Sequence, residues 1–119
     1  MQYLLLIYGD EKAGADMSKE AMDTMMSEYN AYTEDIQKSG VMRAGDALHP
    51  TSSATTVRVQ NGKTVTTHGP FAETKEQLGG FYLLDCKNLD EAIEWAAKCP
   101  GARVGSIEVR PVVDFSQPQ

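Results

Sequence analysis

The chain has two cysteines, one tryptophan and few positive charges, and its longest apolar run is the six residues Tyr3 to Tyr8. Cys86 and Cys99 form no CxxC pair and have no histidine at zinc-finger spacing, so they are expected to be reduced thiols. The Tyr3–Tyr8 run is too short for a membrane span, and no basic segment precedes it as in a signal peptide, so a cytoplasmic location is expected. Eleven Lys and Arg are scattered against 17 Asp and Glu, for a formal net charge of -6. This argues against nucleic acid and an anionic membrane as partners, since both reward clustered cations. There is no GxGxxG, no GxxxxGK[ST], and no HxH, HxxxH or HExxH. No cofactor and no metal site are therefore expected. No repeat, low-complexity tract or linker interrupts the 119 residues, so residues 1–119 read as a single domain. With 41% hydrophobic and 24% charged residues it has enough material for a core of its own.

What is present falls into clear periods. Gln2 to Tyr8 is apolar on both parities, which marks a strand covered on both faces. Gly9 to Gly14 reads as a polar loop. From Ser18 to Ser39, Met22, Met25, Met26, Tyr29, Tyr32 and Ile36 recur with helical spacing, and Gly40 suits the residue that ends a helix. The methionines suit either a core face or a pliable binding surface, and the period favours the core. Gly45 to Ser53 reads as a loop. Thr55 to Gln60 and Lys63 to Thr67 read as strands joined by Asn61-Gly62, a strong hairpin signal. Gly79 to Cys86 is a second strand apolar on both parities. Asn88 with Glu91 opens a second helix, Pro100-Gly101 stops it, and Val104 to Val109 closes the fold as a strand.

The order β-α-β-β-β-α-β predicts an α+β protein: a ferredoxin-like sheet with two helices on one face and an added hairpin. Two strands greasy on both sides then leave an uncovered apolar face. A homodimer packing sheet on sheet would hide it, as a dimeric α/β barrel does.

The densest stretch runs from His68 to Tyr82, where a turn holds Gly69, Pro70, Phe71, Glu73, Lys75, Glu76, Gly79 and Gly80. Such loops on a rigid scaffold tend to carry function. His68 suits proton transfer near neutral pH, or is a surface turn residue. Glu73 and Glu76 share a face if residues 72–77 form a helical turn, and then suit acid–base work; a solvated charged turn is the other reading. Arg58 lies on the sheet side opposite Val57 and Val59. It can fork onto an anion or pair with Glu73 or Glu76. Lys75 lies between the two glutamates, His49 sits in a loop before Pro50, and Tyr82 offers a hydroxyl to a pocket or fills a dimer face. Gly79-Gly80 admits a close ligand or marks a bulge.

Together these segments resemble the YCII-related family, in the branch named for its Asp-Gly-Pro-Phe motif. The likeness is carried by Tyr3–Gly9, Ala54–Arg58, Gly69–Tyr82, Leu89–Ala92 and Glu108–Pro111, nearly the whole chain. The resemblance implies a ferredoxin-like dimeric α/β barrel with a pocket around the central motif. It implies no settled activity: relatives are described as enzymes without assigned reactions, and some of the branch are linked to extracytoplasmic-function sigma factors. His68 stands where the family usually has Asp. Two functions are expected from this. One is an enzyme working by acid–base chemistry on a small anionic metabolite, with Arg58 holding the anion and His68 and Glu73 moving the proton. The other is a ligand-binding or regulatory module without turnover.

Overall fold

The computed structural model describes residues 1–116. Its order is β1 (Gln2–Gly9), α1 (Glu11–Ala15), α2 (Lys19–Ser39), β2 (Met42–Ala47), β3 (Thr55–Gln60), β4 (Lys63–His68), β5 (Gln77–Asp85), α3 (Leu89–Lys98) and β6 (Ser106–Pro111). Short 3-10 turns occupy Thr51–Ser53 and Pro100–Arg103. It is a mixed α+β fold with three α-helices among the described residues. None of the helices among the described residues is long and apolar enough to cross a membrane.

β1 and β5, the strands apolar on both parities, are the central strands of a four-stranded sheet ordered β2-β5-β1-β6. Every pairing in it is antiparallel. One face is packed. Tyr3 and Leu5 of β1 and Tyr82 and Leu84 of β5 meet Tyr32 and Ile36 of α2 and Ala92 and Ala96 of α3. Leu5, Ile36 and Leu84 are fully buried, each stabilising the fold by roughly 1.5–3 kcal/mol. The alternate residues point the other way. Leu4 pairs with Leu83 and Leu6 with Phe81, and none of these four belongs to the core. They form a half-buried apolar stripe on a face that the core-forming helices leave uncovered.

β3 and β4 form a separate two-stranded sheet. At its turn Asn61 has φ 52 and Gly62 φ 77, the pair of left-handed residues that a tight hairpin demands. The whole molecule is a slab of 49 × 47 × 19 Å with a radius of gyration of 16.5 Å. A compact chain of this length has about 13.5 Å. Its accessible surface is 8631 Å², against about 6,300 Å² for a compact monomer of its mass.

The helices over Ser18–Ser39 and from Asn88 fall where their periods predict. Ser18 and Asn88 cap them by accepting from the amides of Ala21 and Glu91. Two elements differ from expectation. Residues 42–47 form the edge strand β2 rather than the start of a loop. Residues 11–15 form a short helix capped by Asp10 rather than a loop. The last strand also begins at Ser106, because Pro100–Arg103 continues as a 3-10 turn.

Candidate functional site

The loops that carry His49 and Glu73 to Glu76 meet at one end of the main sheet. There β1 ends at Gly9, β2 at Ala47, while β5 begins at Gln77 and β6 at Ser106. Backbone and side-chain bonds stitch the connecting loops together. The Glu11 carboxylate accepts from the Thr51 amide and the Thr51 hydroxyl, both at 2.8 Å. The Glu11 amide donates to Gln77 Oε1 at 2.9 Å, and Gln77 Nε2 donates to the Thr74 carbonyl at 2.6 Å. The Leu48 amide donates to the Gly79 carbonyl. His49 therefore sits between two anchored residues, Leu48 and Thr51, with its own side chain exposed.

The base of the hairpin is closed by bonds between its own two ends. The Gly69 amide donates to the Ala54 carbonyl at 2.7 Å, and the Thr56 hydroxyl donates to the Gly69 carbonyl at 2.8 Å. Gly69 has φ 105, a conformation that other residues rarely adopt, so it aims the following Pro70-Phe71 turn. Phe71 is left 79% exposed.

The turn from Ala72 to Glu76 is not helical, so Glu73 and Glu76 do not share a helix face. The Thr74 hydroxyl donates to the Glu76 carbonyl instead, and the Ser106 hydroxyl donates to the Glu76 carboxylate at 2.8 Å. Glu76 is thus a brace to β6, while Glu73 and Lys75 are exposed. Among the described residues neither carboxylate pairs with Arg58.

Register decides which groups can converge. β4 runs one residue further than the alternation indicates, so His68 is a strand residue opposite Thr55. Arg58 lies opposite Val65. Positions 55 and 58 have opposite parity, so His68 and Arg58 project from opposite faces of the hairpin. Within one protomer they do not address the same ligand.

Tyr82 is expected at a pocket or dimer face, and its position corrects that expectation. It is on the packed face of β5, where its hydroxyl shares a 2.7 Å hydrogen bond with Thr33 and its ring meets Tyr32 edge-on. Burial pushes its phenol upward. It packs the core. The Gly79-Gly80 pair resolves as a bulge: Ile7 faces Gly80 and Tyr8 faces Leu78, leaving Gly79 out of register. A Cβ on Gly80 would sit 3.0 Å from the Asp46 carbonyl oxygen, so this glycine lets β2 approach β5.

A groove of about 630 Å³ lies at the opposite end of the sheet, lined in part by Ser39, Val41, Cys86, Glu91, Trp95 and Lys98. None of the candidate residues lines it. No group of three or more His, Cys, Asp or Glu among the described residues is placed to hold a metal. Sequence reasoning passed over Glu11 and Gln77, which order the site's loops. The signal for Glu11 was Asp10 just before it, a helix-capping residue at the end of a strand.

The YCII-related domain matches residues 1–116. The chain belongs to the YCII-related family. It is 42% identical over 114 residues to an uncharacterised protein of Rhizobium meliloti (strain 1021), covering 94% of this chain and 92% of that one. Its fold is similar to that of 5-chloro-2-hydroxyhydroquinone dehydrochlorinase from Burkholderia phenoliruptrix AC1100, solved in complex with 2,5-dihydroxybenzoquinone. That likeness has a TM-score of 0.55 and 13% identity, covering 98% of this chain and 97% of the other. At this identity it speaks for the fold alone.

Proposed function

We propose that this YCII-related protein is a cytoplasmic homodimer, a ferredoxin-like dimeric α/β barrel of the Asp-Gly-Pro-Phe branch, that acts on a small anionic metabolite by acid–base chemistry. The observation that carries the reading is a contrast of charge. The chain has a net charge of -6, yet residues 47–72 contain no carboxylate and hold His49, Arg58, Lys63 and His68. That acid-free segment is tied to one end of a sheet whose other face carries a half-buried apolar stripe. An anion is drawn to such an island.

In this reading His68, in place of the branch's Asp, moves the proton and Glu73 orients it or shares the work. Lys75 and His49 add positive or hydrogen-bonding character around the bound anion. Since Arg58 and His68 face opposite ways, a pocket using both needs Arg58 from one subunit and His68 from the other. A guanidinium supplied this way would fork onto a carboxylate or an ionised hydroxyquinone.

A second reading, a binding or regulatory module without turnover, is favoured by one feature: His68 is exposed and lies on the face opposite Arg58. The test uses the ligand of the fold neighbour as probe, 2,5-dihydroxybenzoquinone, an acidic quinone that is an anion at neutral pH. Titration followed by amide nuclear magnetic resonance shifts is expected to move residues 49, 68, 69 and 71–75. Arg58→Ala weakens binding by about tenfold or more, the loss expected for one charge-assisted contact. A small hydroxyquinone bearing a leaving group serves as trial substrate. Turnover lost in both His68→Ala and Arg58→Ala supports the enzyme; binding lost only in Arg58→Ala, with no turnover in either, supports the module. Shifts confined to the groove near Trp95 would refute both.

A further inference from the structure

We propose that the groove beside Trp95 is the docking site for the Val113–Phe115 segment of its own chain, a strap whose phenylalanine folds down against the tryptophan. The groove lies at the opposite end of the sheet from the loops that carry His49 and Glu73, so the strap stands apart from the chemistry proposed above.

The strap carries apolar side chains left in water. Phe115 is 94% exposed and Val113 53% exposed. In the structure the strap is open, and the Asp114 carboxylate accepts from the amide and the hydroxyl of Ser116.

Its root lies beside the groove. Pro111 of β6 faces Tyr3 of β1, and the next residue, Val112, donates its amide to the Gln2 carbonyl at 2.9 Å. Gln2 faces Asp85 of β5 on its other side, and Asp85 lines the groove. Two strand spacings, about 10 Å, therefore separate Val112 from that wall. The three steps from Val112 to Phe115 span up to about 11 Å, so the strap reaches the wall and the ring of Phe115 extends past it. Parity gives the direction. In β6, Ile107 and Val109 face the helix side and pack against the core. Val113 and Phe115 continue that odd-numbered set. The helix side is where the groove opens, since Glu91, Trp95 and Lys98 of α3 line it.

The groove fits an acid followed by an aromatic ring. Its volume is about 630 Å³, and Val41 and Trp95, both half-buried, supply apolar wall. Most of its acids are already engaged. Asp85 is paired with Arg43 and the Met1 ammonium, and the Glu91 carboxylate accepts from the Lys87 amide at 3.4 Å. That leaves Lys87 and Lys98 against Glu94, and none of the three takes part in an ion pair among the described residues. The Lys98 ammonium lies 5.0 Å from the centre of the Trp95 ring. A cation at the edge of an aromatic wall suits a carboxylate next to a ring, and Asp114-Phe115 is such a pair. Offset or edge-on contact of the two rings adds to the apolar burial.

Two measurements on the full-length chain test the strap. Trp95 is the lone tryptophan, so quenching of its emission by acrylamide reads whether the groove is covered. Phe115→Ala, checked for folding by circular dichroism, should raise the quenching constant about twofold or more, because it removes the strap's main apolar contact. Phe115→Leu should raise it less. The second measurement places the photoreactive p-benzoylphenylalanine at position 115, mixes 14N and 15N protein in equal amounts, and maps the adducts after irradiation. The strap predicts single-isotope adducts on residues 39–41, 85–87 or 91–98. Quenching unchanged in Phe115→Ala, or adducts that miss the groove, overturns the strap. Groove adducts of mixed isotope would show the tail of a second copy there, and they overturn closure within one chain.

Discussion

Cys86 and Cys99 are 2% and 1% exposed, closed inside the layer between sheet and helices. Burial, helped by the nearby Glu91 carboxylate, pushes the Cys86 thiol up to about 11. Burial likewise raises the Cys99 thiol, which donates to the Tyr29 hydroxyl. Both thiols should therefore be silent to a disulfide reagent at pH 8 in the native protein and both titrate once urea unfolds it. Nearby, Leu84→Ala should cost about 2–5 kcal/mol in urea unfolding, the range for a fully buried leucine. At the candidate site, single residues were legible by type and not by direction. Glycine at position 69 announced a turn, but which way His68 points depended on one more ladder pair than the alternation revealed. Tyr82 was misplaced for a related reason: a strand apolar on both parities does not say which face holds the helices.

Among the elements, those with a sustained period were legible. β1 and β5 declare themselves by uninterrupted apolar residues, α2 and α3 by spacing and caps. Asn88→Ala should accordingly lower stability by about 1 kcal/mol, read from the thermal or urea midpoint. β2 was not legible. Its sequence, Met-Arg-Ala-Gly-Asp-Ala, has little strand preference, and its pairing is imposed by β5, where glycine at 80 lets the backbones close in. α1 is too short to show a period, and its place is set by the Glu11 clamp on Thr51. The helical layer also contains an ion pair between α2 and the turn after α3: Arg103 meets Glu28 at 2.6 Å. The Arg103 hydrogen bond holds the Glu28 carboxyl below its usual value. A carboxyl depressed in the folded state stabilises above its unfolded value, and the effect disappears as pH falls through the folded one. Wild type should then lose more stability than Arg103→Ala on acidification from pH 7 to below 4.5, the difference shrinking in high salt because the pair is exposed.

For the molecule as a whole, the half-buried apolar stripe of Leu4, Leu6, Phe81 and Leu83 is the feature with the largest reach. The core was legible as a quantity, since two doubly apolar strands need two coverings and only one helix layer exists to provide them. Where the loops meet at the end of the sheet was not legible, because that depends on bonds between residues far apart in sequence, such as Glu11 with Thr51 and Gln77. Leu6→Asp places a charge in the centre of the stripe without touching the helix-packed core. If the proposed sheet-face dimer is the native state, Leu6→Asp should yield a folded monomer by light scattering at a concentration where the wild type scatters as two chains.

The lone tryptophan has a practical consequence. Trp95 rides on the helix side of the slab, its carbonyl held by the Tyr32 hydroxyl at 2.7 Å and its ring 5.0 Å from the Lys98 ammonium. Its fluorescence is a gauge of whether that layer is closed, and it is insulated from what happens behind the sheet. Denaturant should change the emission, while dilution that splits the proposed dimer should leave it untouched, so the signal reports unfolding alone.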